Sequence, residues 1–113
     1  MTRHDDEVRL RHMLDHAVEA CKMVRGCQPE DLRQNRMLQL ALIHLVEIIG
    51  EAASRVSEEG QERYPSLPWR QAKSMRNRLI HGYDMVDLKV LWDTTQEDLP
   101  GLIAQLREAL QEP

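Results

Sequence analysis

Helix-period spacing dominates the hydrophobic pattern of this chain, and the alternation expected of strands is hard to find. Leu10, Leu14, Ala17, Cys21 and Val24 follow one another at intervals of four and three, which lines one face of a first helix and predicts its end near Gly26. After a turn at 28–31, a second helix is predicted from about Pro29 to Glu59. Pro29 fits its first turn, where the missing N–H has no helical partner anyway. Such a helix would be roughly 45 Å long. Its middle, MLQLALIHLVEII, is apolar around most of its circumference, more than one core-facing stripe needs. One side is therefore expected to face the bundle and the other a second subunit. Gly50 inside it costs about 1 kcal/mol relative to alanine, which predicts the close approach of another helix or of a partner chain.

The stretch SEEGQERYPSLP, with Gly60, Pro65 and Pro68, reads as the clearest connector. A third helix is then predicted, with Ser66 as cap, Pro68 and Trp69 in its first turn, and its end at Ile80 or His81 before Gly82. Asp87 is placed to cap a fourth segment holding Leu88, Leu91 and Trp92. Pro100 should kink or restart the helix, and Leu99, Ile103, Leu106 and Leu110 form a last apolar stripe. The fold class implied is all-α, a bundle of four or five helices running up and down.

At 113 residues the chain has the length of one domain, 1–113, with one core. No run of wholly apolar residues approaches the roughly 20 that a membrane span needs. The charged N-terminus lacks the apolar stretch of a secretory leader, so the expectation is a cytoplasmic protein with no membrane partner. Cys21 and Cys27 have neither CxxC spacing nor a second pair, and read as free thiols.

Charge changes this picture locally. Fifteen basic residues against 19 acidic ones give a net charge of −4, which does not by itself suggest a nucleic-acid binder. Residues 66–83, however, hold Arg70, Lys73, Arg76 and Arg78 and no acid, leaving 11 basic against 19 acidic elsewhere. A concentrated basic segment on an acidic body is what a local anion site looks like.

Within that segment RNRLIHGY is the candidate chemical centre. On an ideal helix His81 stands about 140° around from Arg76, on another face. The length of the arginine and the expected helix end bring them within reach. Asn77 and Lys73 stand four and eight positions before His81, on its face. A phosphate could then meet Lys73, Arg76, Asn77 and His81, with Arg78 a further cation. A helix C-terminus would raise the pKa of His81 and the neighbouring arginines would lower it. Either way it is the side chain best suited to act as general acid or base near neutral pH. Cleavage of RNA without a metal needs a proton acceptor for the 2′-hydroxyl, a donor for the leaving oxygen and a cation at phosphorus. One copy of the motif offers one histidine, and a two-fold dimer would supply the second.

Arg76, four residues, His81, one residue, Tyr83, with Asn77 directly after the arginine, resembles the signature of HEPN-domain ribonucleases. IIGEAA at 48–53, PW at 68–69 and GYDMVD after the histidine extend the resemblance to the HepT branch, the toxin half of HepT/MntA toxin–antitoxin modules, over residues 8–110. The resemblance implies a homodimeric, metal-independent endoribonuclease with an RNA substrate and no cofactor. It implies a composite cleft with Arg76 and His81 as catalytic pair and Asn77 in support, while Lys73 and Arg78 are candidate phosphate contacts from the charge pattern alone. It also implies a cognate MNT nucleotidyltransferase antitoxin that transfers AMP onto Tyr83, placing bulk and negative charge beside the cleft. The competing reading is a noncatalytic helical module that binds a nucleotide or positions a nucleotidyltransferase.

Other candidates carry less. His12 and His16 have a zinc-compatible spacing but no third ligand, so no metal is expected there. His44 with Glu47 reverses the order of a di-metal motif and reads as a dimer-interface or buried hydrogen-bonded histidine. Glu51 is expected to pair with a nearby base, and Trp69 and Trp92 to be core or cleft-wall residues able to stack on a base.

Overall fold

The structure, a computed structural model, describes residues 2–81 and 85–111, with His81 represented by its backbone. Thr2 opens helix α1 (Arg3–Met23) through a capping box: its hydroxyl accepts from the Asp5 amide, and the Asp5 carboxylate accepts from its own, both at 3.1 Å. The helix buries Leu10, Met13, Leu14, Ala17 and Ala20 against α3 (Arg36–Arg55) and α7 (Leu99–Ala109). Val24 is buried just beyond it, and Gly26 takes the turn at φ +79°, the left-handed region glycine adopts without cost.

The long second helix expected from Pro29 to Glu59 is three helices. α2 (Pro29–Gln34) stops at Asn35, whose backbone is extended and whose side chain instead caps α3 (Arg36–Arg55) by accepting from the Leu38 amide at 3.0 Å. The Gln39 amide reaches back to the carbonyls of Leu32 and Arg33, satisfying the free end of α2. After Val56, Ser57 caps α4 (Glu58–Arg63). The length of α3 is therefore about 30 Å rather than 45 Å.

By length and mean hydropathy α3 is apolar enough to cross a membrane, although polar and charged residues interrupt its apolar run. Leu42, Leu45, Val46 and Ile49 are nevertheless buried, with α1 and α5 (Trp69–Leu79) packed on the helix, so one side of it belongs to the core while Met37 and Leu40 on the other stay exposed.

Asp6 fastens α4 to the start of α1. It is 1% exposed, accepting from the Ser57 amide at 2.9 Å and the Ser57 hydroxyl at 2.6 Å. Burial is the strongest single influence on this carboxyl and pushes its pKa up, but the two Ser57 hydrogen bonds and the charge of Arg63 outweigh it and hold it below the ordinary value.

Helix α5 (Trp69–Leu79) starts directly after Pro68, not at a Ser66 cap; Ser66 instead offers its carbonyl to Gln105 on α7. Trp69 donates its indole N–H to the Tyr64 carbonyl at 3.0 Å. The helix ends at Leu79, one to two residues short of expectation. Extended Ile80 begins β1 (Ile80–His81), which pairs antiparallel with β2 (Met85–Val86), Ile80 opposite Val86 and His81 opposite Met85. The Asp87 amide bonds the Leu79 carbonyl at 2.7 Å and closes the hairpin onto the helix. The β-branched Ile80 suits the strand, and pairing with a later segment outweighs the local helical pattern. These two short strands are the departure from a purely helical chain among the described residues.

Asp87 caps α6 (Leu88–Asp93) as expected, accepting from the Val90 amide at 3.0 Å. A π-helical stretch (Thr94–Asp98) follows, and α7 (Leu99–Ala109) restarts with Pro100 in its first turn. Buried Thr94 and Thr95 satisfy their hydroxyls on the carbonyls of Val90 and Trp92. Leu99, Leu102 and Leu106 then complete the core.

Candidate functional site

The basic segment is carried by α5, and Gly50 sets where α5 lies. A Cβ on Gly50 would stand 3.3 Å from the Ala72 carbonyl oxygen and 3.5 Å from that of Lys73, so the missing side chain lets the two backbones come together. One turn away on each helix the side chains meet: Arg76 Nε lies 3.5 Å from Glu47 Oε2, both side chains about half exposed. The carboxylate occupies the Nε edge. Among the described residues no further partner is recorded for Arg76, so its terminal nitrogens are available to an anion.

Ala72, Met75 and Leu79 fix the buried side of α5. The rotation of 100° per residue then places Trp69, Lys73 and Arg76 along one edge, with Arg70 and Asn77 beside them. Lys73, Arg76, Arg70 and Asn77 are all exposed. Lys73 Nζ donates to Gln61 Oε1 at 2.9 Å, a neutral partner that leaves its charge uncompensated. A groove of about 530 Å³ runs over this face, lined by Gln61, Trp69, Arg70, Lys73, Ser74 and Asn77.

Arg78 is not part of this cluster. Two residues after Arg76 it points some 200° away, where its guanidinium pairs with Asp98 at 3.4 Å and Gln71 bonds the other oxygen of that carboxylate. Asp93 and Glu97 line the same side. Arg78 therefore ties α5 to the π-helical stretch. Its setting is acidic, which sequence distance concealed.

The His81 imidazole and all of Tyr83 lie outside the described residues, so the distance between Arg76 and His81 is not part of this geometry. The backbone does revise one argument: with α5 ending at Leu79, His81 is in a strand, and the face it was expected to share with Asn77 and Lys73 no longer follows from helical spacing.

Among the other candidates, Glu51 pairs with Arg55 at 2.8 Å, as expected. His16 Nδ1 is engaged with the His12 carbonyl at 2.7 Å. His44 is exposed on α3, ruling out the buried alternative for it. Both cysteines are free, and burial pushes the Cys21 thiol up against the opposing charge of Arg25, which makes it a poor nucleophile. Sequence reasoning weighed Glu47 only beside His44 and missed its pairing with Arg76; the available signal was an acid on an otherwise apolar stretch of α3.

A family model of HepT-like ribonucleases matches residues 13–109. A protein from Caldanaerobacter subterraneus subsp. tengcongensis described as a candidate RNase is 33% identical over 105 residues, 89% of this chain and 94% of its own. One from Thermococcus cleftensis described as a probable ribonuclease HepT is 42% identical over 73 residues, 65% of this chain and 66% of its own. A third, a candidate RNase from Methanocaldococcus jannaschii, is 31% identical over 102 residues, 90% of this chain and 94% of its own. No solved structure gives a significant match.

Proposed function

Because the chain belongs to the HepT-like ribonuclease family, we propose that it is a toxin endoribonuclease that cleaves RNA in the cytoplasm without a metal, at a cleft built from two copies of the α5 face. The observation that carries this reading is Arg76: paired at Nε with Glu47, it presents its remaining donors on an exposed face of α5 beside Lys73 and Asn77. A guanidinium held in that way suits the charge that develops on phosphorus during phosphoryl transfer.

The reaction is transesterification. A neutral His81 imidazole takes the proton of the 2′-hydroxyl as that oxygen attacks phosphorus. The 5′-oxygen leaves with a proton from the protonated imidazole of the second copy, giving a 2′,3′-cyclic phosphate. Arg76 stabilises the phosphorane charge, with Lys73 and Asn77 holding the non-bridging oxygens.

The second copy has a natural seat. Met37 is 81% exposed and Leu40 is 50% exposed. With His44 they occupy the arc of α3 that continues into Glu47, and Met85 on β2 is 72% exposed. A copy seated on this arc extends over Arg76 and brings the second histidine with it. A cognate nucleotidyltransferase silences the site by transferring AMP from ATP onto the Tyr83 hydroxyl, adding anionic bulk beside the cations.

Leu40→Glu places a charge on the seat without touching the core. We expect it to convert the dimer to a monomer in light scattering and to abolish cleavage with the helical circular dichroism unchanged. A monomeric Leu40→Glu variant that cleaves at the wild-type rate contradicts the composite cleft.

A further inference from the structure

The α5 groove does more than collect charge. Four other grooves on the described surface each include at least one carboxylate in their walls: Glu7 in one, Asp15 and Glu19 in a second, Glu51 in a third, Asp93, Glu97 and Asp98 in a fourth. The α5 groove has none. Its walls combine Arg70 and Lys73 with one aromatic ring, Trp69, and the amides of Gln61 and Asn77. No carboxylate partner is recorded for Arg70 among the described residues, and Lys73 is satisfied only by neutral Gln61. On a protein of net charge −4, a carboxylate-free groove with two uncompensated cations is built for an anion.

The aromatic ring narrows the ligand. Trp69 is half-buried, and its indole N–H is fixed on the Tyr64 carbonyl at 3.0 Å. The ring is therefore held in place before any ligand arrives, which lowers the ordering cost of stacking on it. A fixed aromatic beside cations is the arrangement by which proteins hold single-stranded nucleic acid, the base on the ring and the phosphate on the charges. The groove, of about 530 Å³, is shallow and open to solvent, so a nucleotide would lie on it rather than inside it. Asn77 forms one end of the groove and directly follows Arg76 in the chain. Trp69 stands two turns before Arg76 on the same edge of α5, about 10 Å along the axis.

We propose that this groove is a nucleotide subsite of the ribonuclease: one base of a single-stranded RNA stacks on Trp69, and its phosphate is held by Arg70 and Lys73. The subsite rests on the ribonuclease reading for the identity of its occupant. The stacked nucleotide is the neighbour, or the next but one, of the phosphate at Arg76. Paired RNA, whose bases are already stacked and turned inward, is excluded, so the groove selects unpaired segments.

The chain has two tryptophans, which makes the test direct. In the Trp92→Phe/His81→Ala variant Trp69 is the sole indole and cleavage is blocked. Titration with a short single-stranded RNA of mixed sequence is expected to quench its emission to saturation, at the concentrations where the anisotropy of the labelled RNA rises. The same sequence annealed to its complement leaves the emission unchanged, and Arg70→Glu weakens single-strand binding roughly tenfold. Should Trp92→Phe perturb folding, the difference in quenching between His81→Ala and Trp69→Phe/His81→Ala carries the same information. Absence of RNA binding, binding with unchanged Trp69 emission, or full affinity in Arg70→Glu overturns the subsite. Cleavage by the wild-type protein, measured in parallel, separates the two claims. Cleavage without quenching removes the subsite and leaves the nuclease, whereas quenching without cleavage keeps the subsite and removes the nuclease.

Discussion

Arg76→Ala is expected to lower the rate of RNA cleavage by about 10²- to 10³-fold, the loss that follows removal of one preorganised group from a developing oxyanion. The fold should survive, because Arg76 and Glu47 are both about half exposed and solvent can take over the carboxylate. Arg76→Lys is expected to recover only a small part of the rate. A lysine keeps the charge, but it cannot rest one edge on Glu47 while offering two parallel donors to a phosphate. Glu47→Gln should sit between wild type and Arg76→Ala, since it loosens the guanidinium without removing it. Steady-state kinetics on one RNA substrate, with thermal unfolding of each variant alongside, provides the check. Wild-type turnover in Arg76→Ala would remove Arg76 from the chemistry.

The largest expected effect on stability belongs to Asp6→Ala. Asp6 accepts from both the amide and the hydroxyl of Ser57 inside the protein, and its charge faces Arg63, one of whose terminal nitrogens is buried without a hydrogen-bond partner. Removing the carboxylate leaves the Ser57 donors and the guanidinium uncompensated, a loss of about 2–4 kcal/mol, or some 10–25 °C in Tm for a domain of this size. The pH dependence has a definite sign. The carboxyl pKa is lower in the folded protein than the ordinary value of 3.8. Its contribution is thus fully present above that value and is lost as pH falls through the lower folded one. Asp6→Asn should show a smaller loss of stability in acid between those two values than wild type shows. Chemical denaturation across pH 2 to 7 measures both effects.

Much of the fold can be read from local pattern. The spacing of Leu10, Leu14, Ala17 and Val24 locates the buried face of α1 and Asp87 marks the cap of α6, because each signal acts within a few residues; Gly50 marks a close approach by its missing side chain, without naming α5 as what approaches. What escaped depends on distant partners or on competition at a single residue. Asn35 breaks the long apolar run by capping α3 while the hydrophobic period continues through it. Ile80 leaves the helix because residues 85 and 86 offer it a strand. Arg78 looks equivalent to Arg76 in the sequence, yet Asp98, twenty positions later, claims it.

The site is legible to the same degree. The acid-free stretch and the motif from Arg76 to Tyr83 point to α5 and to the family, and Lys73, Arg76 and Asn77 emerge on one exposed side. Glu47 was hidden because an ion pair between two helices leaves no periodic trace. The groove of Gln61, Trp69 and Arg70 was hidden because α4 must fold back beside α5 to form it.

The most direct measurement of the central claim is cleavage of a mixed RNA, in the presence of a chelator, by wild-type protein whose intact mass shows no adenylate, beside His81→Ala. The account predicts chelator-resistant cleavage that leaves 2′,3′-cyclic phosphate ends and vanishes in His81→Ala with the fold retained. Intact RNA in the wild-type reaction, or equal cleavage by the two proteins, would contradict it.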